Sequence, residues 1–165
     1  MCISDLENMG RKVSTIILDL GGVLIDWNPG YVYRQIFDNE GKVDWFFENI
    51  CTGDWNEKQD AGRSLREATE ELVLKHPEYE NEVRAYYGRW EEMLGDPIYE
   101  TVDILRSLTE TKTYKLYALT NWSAETFPVA LARYDLLHWF EGIVWGGGET
   151  TRKPFADVYH YFLNR

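Results

Sequence analysis

Three short stretches carry side chains that could do chemistry, and each closes an apolar run. Asp19 stands near the end of 14-STIILDL-20 and is followed by Gly21-Gly22. A carboxylate in such a run is costly if buried without partners, so its place implies a reward: a metal ion to meet or an electrophile to attack. Gly21 and Gly22 let the backbone approach a ligand closely and adopt conformations closed to other residues. Thr120 and Asn121 follow 114-YKLYAL-119. A hydroxyl and an amide there can hydrogen-bond an anionic substrate oxygen, helped by the N-terminus of a helix expected to start near Ser123. Lys153 lies in 152-RKP-154, after 146-GGGETT-151. Pro154 biases it toward an extended backbone and suits the first position of the next helix. An ammonium held near Asp19 would neutralise a nucleophilic carboxylate and a phosphoryl oxygen. Singly, these are a turn cap, a capping pair and a solvated basic pair. Together they put Asp, Thr and Lys at the carboxyl ends of successive strands.

Those strands follow from the pattern of the chain. The segment 14-STIILDL-20, resuming as 23-VLI-25, is continuously apolar, as in a strand buried on both faces of a sheet. From Tyr31 to about Leu94 the apolar groups fall three and four apart, in 31-YVYRQIF-37, 43-VDWFFENIC-51, 64-SLREATEELVLKH-76 and 79-YENEVRAYYGRWEEML-94, which predicts four amphipathic helices. Ser64 and Glu67 form a capping box, and Gly53, Gly62, Pro77 and 95-GDP-97 punctuate the region. Beyond Pro97, helix 98–110, strand 114–120, helix 123–135, strand 142–146 and a helix from about Pro154 to Leu163 alternate, which means right-handed crossovers and a parallel sheet. The expected architecture is α/β: a Rossmann-like parallel sheet built from 1–27 and 96–165, with an inserted α-helical cap over 28–95 placed above the crevice at the strand ends.

Composition bounds the rest. With 165 residues, 44% hydrophobic and 27% charged, the chain is globular in type, and a net charge of −11 argues against nucleic acid and anionic membrane surfaces as partners. The N-terminus lacks the apolar segment of a signal peptide and no apolar stretch is long enough to span a bilayer, so a cytoplasmic protein is expected. Cys2 and Cys51 show neither disulfide nor zinc spacing and read as reduced thiols. His76, His138 and His160 show no metal spacing. The aromatics Trp45, Phe46, Phe47, Trp55, Tyr86, Tyr87 and Trp90 read mainly as the core of a helical bundle. Trp27 and Trp122 instead follow the reactive motifs at the crevice rim, where they can shape substrate choice. The acidic 54-DWNEKQDAGR-63 has two readings, a segment facing the crevice and a solvated helix start, of which the second is preferred.

With these residues in view, the sequence resembles the haloacid dehalogenase-like (HAD) hydrolase superfamily, in the branch with a helical cap after the first strand. The match runs over most of the chain: 16-IILDLGGVLIDW-27 looks like the first motif with Asp19 as nucleophile, 116-LYALTN-121 like the second with Thr120, and 152-RKP-154 like the third with Lys153. The resemblance implies an aspartyl intermediate, usually a phospho-aspartate. It implies Mg2+ held by the Asp19 carboxylate, the Gly21 carbonyl and an acidic residue of a fourth motif. Thr120 would bind the transferring phosphoryl group and Lys153 would steady the nucleophile, with Gly22, Asn121, Trp27 and Trp122 contacting a small-molecule substrate. Two departures accompany it. The family's phosphatases usually carry an Asp two residues after the nucleophile, where this chain has Gly21; Asp26 is better read as capping the turn into the insert. The fourth motif would lie past Arg165, so the later strands of the fold are expected to be missing and the strand of Asp19 to form an open apolar edge, able to self-associate. The expected activity is phosphatase. The alternatives are a metal-independent dehalogenase of small 2-halo acids and a non-catalytic binding protein.

Overall fold

The computed structural model describes residues 13–149 and 152–163; Cys2 lies outside them. Among the described residues five strands form two sheets: β1 (Thr15–Leu18), β2 (Ile25–Trp27), β3 (Leu94–Pro97), β4 (Lys115–Thr120) and β5 (Gly142–Trp145). The larger sheet has the order β1-β4-β5 and is parallel throughout, with Leu18 opposite Ala118 and Thr120 opposite Trp145. Helix α6 (Tyr99–Thr111) leads into β4, while α7 (Phe127–Arg133) and a 3-10 turn (Asp135–Trp139) join β4 to β5. This is the expected α/β alternation, because parallel neighbours need crossovers. The register puts Asp19 just past the last paired residue of β1 and Thr120 at the end of β4, on the same edge of the sheet. Beyond β4, β1 pairs with no other described strand, and Ile17 on it is 45% exposed.

The smaller sheet was not expected. β2 and β3 run antiparallel, with Ile25 opposite Pro97 and Trp27 opposite Leu94, and so tie the two ends of the helical insert together. The run 23-VLI-25 therefore does not continue β1. The Leu20 carbonyl accepts from the N–H groups of Val23, Leu24 and Ile25 at 2.8–3.2 Å, and this tight turn passes through Gly22 at φ +73°, a left-handed conformation open to glycine.

Between β2 and β3 lie five helices rather than four: α1 (Gly30–Ile36), α2 (Glu40–Asn49), α3 (Gly53–Asp60), α4 (Leu65–Lys75) and α5 (Glu80–Gly88). α3 occupies the stretch expected to be a solvated helix start. Thr52 caps it by accepting from the Trp55 N–H at 3.2 Å, and its buried face is made by Trp55 and Gln59 instead of aliphatic residues, so hydrophobic spacing does not reveal it. Ser64 Oγ caps α4 by accepting from Glu67 N at 3.5 Å. The predicted helix 79–94 is shorter, because a 3-10 turn at Trp90–Met93 hands the chain to β3. The insert is packed around rings: Tyr33 sits 4.9 Å from Phe47 and 5.0 Å from Phe46, and Trp55 lies 5.1 Å from Tyr86. Phe46, Trp55, Tyr86 and Trp90 are buried as expected of a core, whereas Trp45 is 42% exposed. Cys51 is a free thiol in this core, and burial pushes its pKa up to about 12, which keeps it unreactive. No helix among the described residues is long and apolar enough to cross a membrane.

Candidate active site

At the carboxyl edge of the large sheet a cavity of about 210 Å³ opens between the strand ends and the insert. Its floor holds Asp19, Gly21, Thr120, Asn121 and Lys153, so the three motif residues converge on one space. Lys153 Nζ lies 2.5 Å from Asp19 Oδ2, and the Leu20 N–H donates to Asp19 Oδ1 at 2.8 Å. Both carboxylate oxygens are thereby oriented by a charge-assisted contact and a backbone donor. Thr120 is buried on the cavity wall, with the buried hydroxyl residues Ser123 and Thr126 beside it.

Asn121, expected to contact substrate, lines the cavity and also holds the Lys153 backbone. Its Oδ1 accepts from the Lys153 N–H at 2.7 Å and its Nδ2 donates to the Lys153 carbonyl at 3.1 Å. The amide thus grips both backbone groups of the residue that carries the ammonium, joining the ends of the second and third motifs. Lys153 is linked to Pro154 by a cis peptide, and helix α9 (Ala156–Leu163) starts two residues after the proline rather than on it. The helix expected near Ser123 starts at Phe127, because Ser123 is spent on a turn: its Oγ accepts from the Glu125 N–H at 3.2 Å and its carbonyl from Phe127 at 3.0 Å. A short helix α8 (Gly146–Glu149) packs onto this turn so tightly that a Cβ on Gly147 would come within 2.4 Å of the Ala124 nitrogen.

Trp27 and Trp122 both line the cavity. Trp122 is 5% exposed, and an aromatic line runs from Trp90 of the insert to Trp122 at 5.8 Å, Phe127 at 5.9 Å and Trp145 at 4.5 Å. Gly22, expected to approach a ligand, is not in the cavity wall; it makes the turn after Asp19 instead. Asp26 is also absent from the wall. Its carboxylate accepts from the Tyr31 hydroxyl and packs against Gly95 of β3, while Asn28 Oδ1 is the group that accepts from the Gly30 N–H at the start of α1.

The opposite wall includes the 54–63 segment, for which the sequence favoured a solvated helix start over a place facing the crevice. Asn56 and Asp60 of α3 and Tyr87 of α5 face the cavity together with Trp90. They form a relay: Gln59 Nε2 donates to the Tyr87 hydroxyl at 3.1 Å, that hydroxyl donates to Asn56 Oδ1 at 2.9 Å, and Asn56 Nδ2 donates to Asp60 Oδ2 at 3.3 Å. Burial pushes the Asp60 carboxyl up to about 6, and the charge of Glu57 acts in the same sense. Arg152 and a hydrogen bond from the Ser123 backbone oppose the rise. Arg152 also pairs with Glu57 at 2.8 Å, and Glu125 Oε1 accepts from the Leu65 N–H at 2.8 Å, so the insert is latched to the body on two sides. The sequence signals for this wall are the acidic character of 54–63 and the single helix turn between Asn56 and Asp60.

Among the described residues no group of three His, Cys, Asp or Glu side chains is placed to hold a metal. The oxygen donors at the floor include the Asp19 carboxylate and the carbonyl of the exposed Gly21. That set suits magnesium, which commonly takes one or two carboxylates and fills its sphere with substrate phosphate and water.

No family model and no curated protein matches the sequence. Solved structures do match the fold. The HAD hydrolase YfnB of Bacillus subtilis, solved with magnesium, superposes with a TM-score of 0.68 at 19% identity, over 94% of this chain and 74% of that one. A HAD family enzyme of Bacteroides thetaiotaomicron, in complex with magnesium and inorganic phosphate, gives 0.60 at 16% identity, over 93% and 78%. The L-2-haloacid dehalogenase of Xanthobacter autotrophicus, with chloropropionic acid covalently bound, gives 0.57 at 14% identity, over 93% and 64%. The chain therefore has the haloacid dehalogenase-like fold.

Proposed function

We propose that the chain is a hydrolase of small phosphorylated molecules, acting through an aspartyl-phosphate on Asp19. The observation that carries this reading is the Asp19–Lys153 contact at 2.5 Å, in a cavity that also holds the Thr120 hydroxyl. Phosphoryl transfer needs little more than positioning and charge neutralisation. The Asp19 carboxylate, oriented from Leu20 and Lys153, attacks phosphorus; Lys153 balances the charge shared by the carboxylate and a phosphoryl oxygen; Thr120 donates to a second phosphoryl oxygen. Water then releases phosphate from Asp19. Magnesium, held by Asp19 and the Gly21 carbonyl, would supply further neutralisation of the phosphoryl charge. The cavity of about 210 Å³ favours a substrate of few heavy atoms. Phosphate-bound and magnesium-bound relatives of the same fold support the choice.

One observation favours a second reading, displacement of halide from a small 2-halo acid: Gly21 has no carboxylate to protonate a leaving group, and halide needs none. Turnover of dinitrophenyl phosphate with magnesium, abolished by a chelator, is the expected result; chloropropionate turnover that survives chelation would replace the phosphatase reading with the other. In either case Asp19→Asn should cost about a thousandfold or more in kcat/KM. A variant retaining parental turnover would refute the nucleophile.

A further inference from the structure

Expulsion of an alkoxide from a phosphate ester needs a proton donor, and Gly21, two residues after Asp19, has no side chain to supply one. Among the described cavity-lining residues, Asp19 and Lys153 are paired with each other, and Thr120, Ser123 and Thr126 carry only hydroxyls, weak acids at neutral pH. The Tyr87 hydroxyl is already given to Asn56 and burial raises its pKa. Asp60 remains. It is half-buried on the wall facing the strand ends, and Asn56 orients one of its oxygens at 3.3 Å within the Gln59–Tyr87–Asn56 relay.

Resting on the phosphatase reading, we propose that Asp60 of the insert is the general acid and base of the reaction. In the first step the Asp19 oxygen bonds to phosphorus, the bond from phosphorus to the ester oxygen breaks, and that oxygen takes its electron pair and the Asp60 proton, leaving as an alcohol. In the second step the Asp60 carboxylate takes a proton from the attacking water, the water oxygen bonds to phosphorus, and the bond from phosphorus to Asp19 breaks with its electron pair returning to the carboxylate. Phosphate leaves and Asp60 is protonated again. Among the described residues, the charged and titratable groups facing Asp60 are Glu57 on its own helix, Arg152 from the loop before α9, Tyr86 and Tyr87 from α5, and Asp19 and Lys153 across the cavity. An acid poised near neutrality by burial is the type suited to this exchange.

The test compares ethyl phosphate, whose alkoxide must be protonated, with dinitrophenyl phosphate, whose leaving group need not be. Asp60→Asn should lose about a hundredfold or more in kcat/KM on ethyl phosphate and far less on the aryl ester, with a burst of dinitrophenolate as the aspartyl-phosphate accumulates. Equal losses on both, or none, overturn the proposal while leaving Asp19 in place. If the parental protein turns over neither ester, the phosphatase reading has failed and the assignment of Asp60 fails with it. A second variant avoids altering Asp60: Arg152→Gln removes an opposing cation and should move the alkaline limb of the ethyl phosphate profile upward, whereas an unmoved limb argues against Asp60. Independently of turnover, carbon NMR of the free protein should show the Asp60 carboxyl titrating at about 6; a midpoint in the ordinary carboxylate range of about 4 would overturn the proposal.

Discussion

The strand-end wall of the cavity holds Asp19, Thr120 and Lys153 on backbone tied down by parallel ladders and by the Asn121 clamp, whereas the facing wall holds Asn56, Asp60 and Tyr87 on helices wedged together by rings. On the first wall, position is set by hydrogen bonds to main-chain groups, which fix a side chain's origin closely. On the second it is set by close packing among Tyr33, Phe46, Phe47, Tyr86 and Trp55, where volume and shape decide. The difference separates two tasks: the strand ends can hold opposite charges in contact, and the helices can bring a weakly solvated carboxyl over them.

This contrast can be broken most strongly at Phe46, which is fully buried and lies 5.0–6.1 Å from the rings of Tyr33, Phe37, Phe47 and Tyr79. Phe46→Ala should cost about 3–5 kcal/mol of stability in denaturant unfolding; a loss below about 1 kcal/mol would mean that the rings do not hold this wall.

A smaller effect comes from Asp60, and its sign follows from linkage. Its pKa rises from 3.8 unfolded to about 6 folded, so the folded protein binds the proton more tightly. The stability this confers is present below about pH 4 and is lost as the pH climbs to about 6. Asp60→Asn should therefore unfold later than the parental protein at neutral pH, by up to ~3 kcal/mol, with the gap closing near pH 4. A constant gap across that range would show that Asp60 is not held in a desolvated place. The smallest effect sharpens the floor: Asn121→Ala removes both bonds to the Lys153 backbone and should lower kcat/KM about tenfold, and an unchanged value would mean that Lys153 is positioned without the clamp.

Much of the floor was legible in the chain because a continuous apolar run that ends in a polar residue is a local pattern. Asp19, Thr120 and Lys153 could be aligned once the runs were read as parallel strands. Trp27 and Trp122 were found by the same proximity to the motifs. Gly22 was misjudged because a ligand approach and a tight turn demand the same glycine, and only the bonds to the Leu20 carbonyl distinguish them. α3 was read as solvated since its buried face is made by Trp55 and Gln59, which hydrophobic spacing does not register. The division of 79–94 into α5, a 3-10 turn and β3 was equally hidden, because β3 exists through its pairing with β2 about seventy residues earlier.

The alternation of strands and helices after Pro97, the presence of a helical insert after the first strand and the placement of Asp19 and Thr120 at strand ends were determined by the sequence alone, since periodicity and chain order express them within short windows. The tertiary structure decided that Asn121 serves Lys153 and that Asp60 stands over the cavity with a raised pKa. Both depend on residues distant in the chain: Asn121 meets Lys153 across 32 positions, and the proton affinity of Asp60 is set chiefly by the water that folding removes from it.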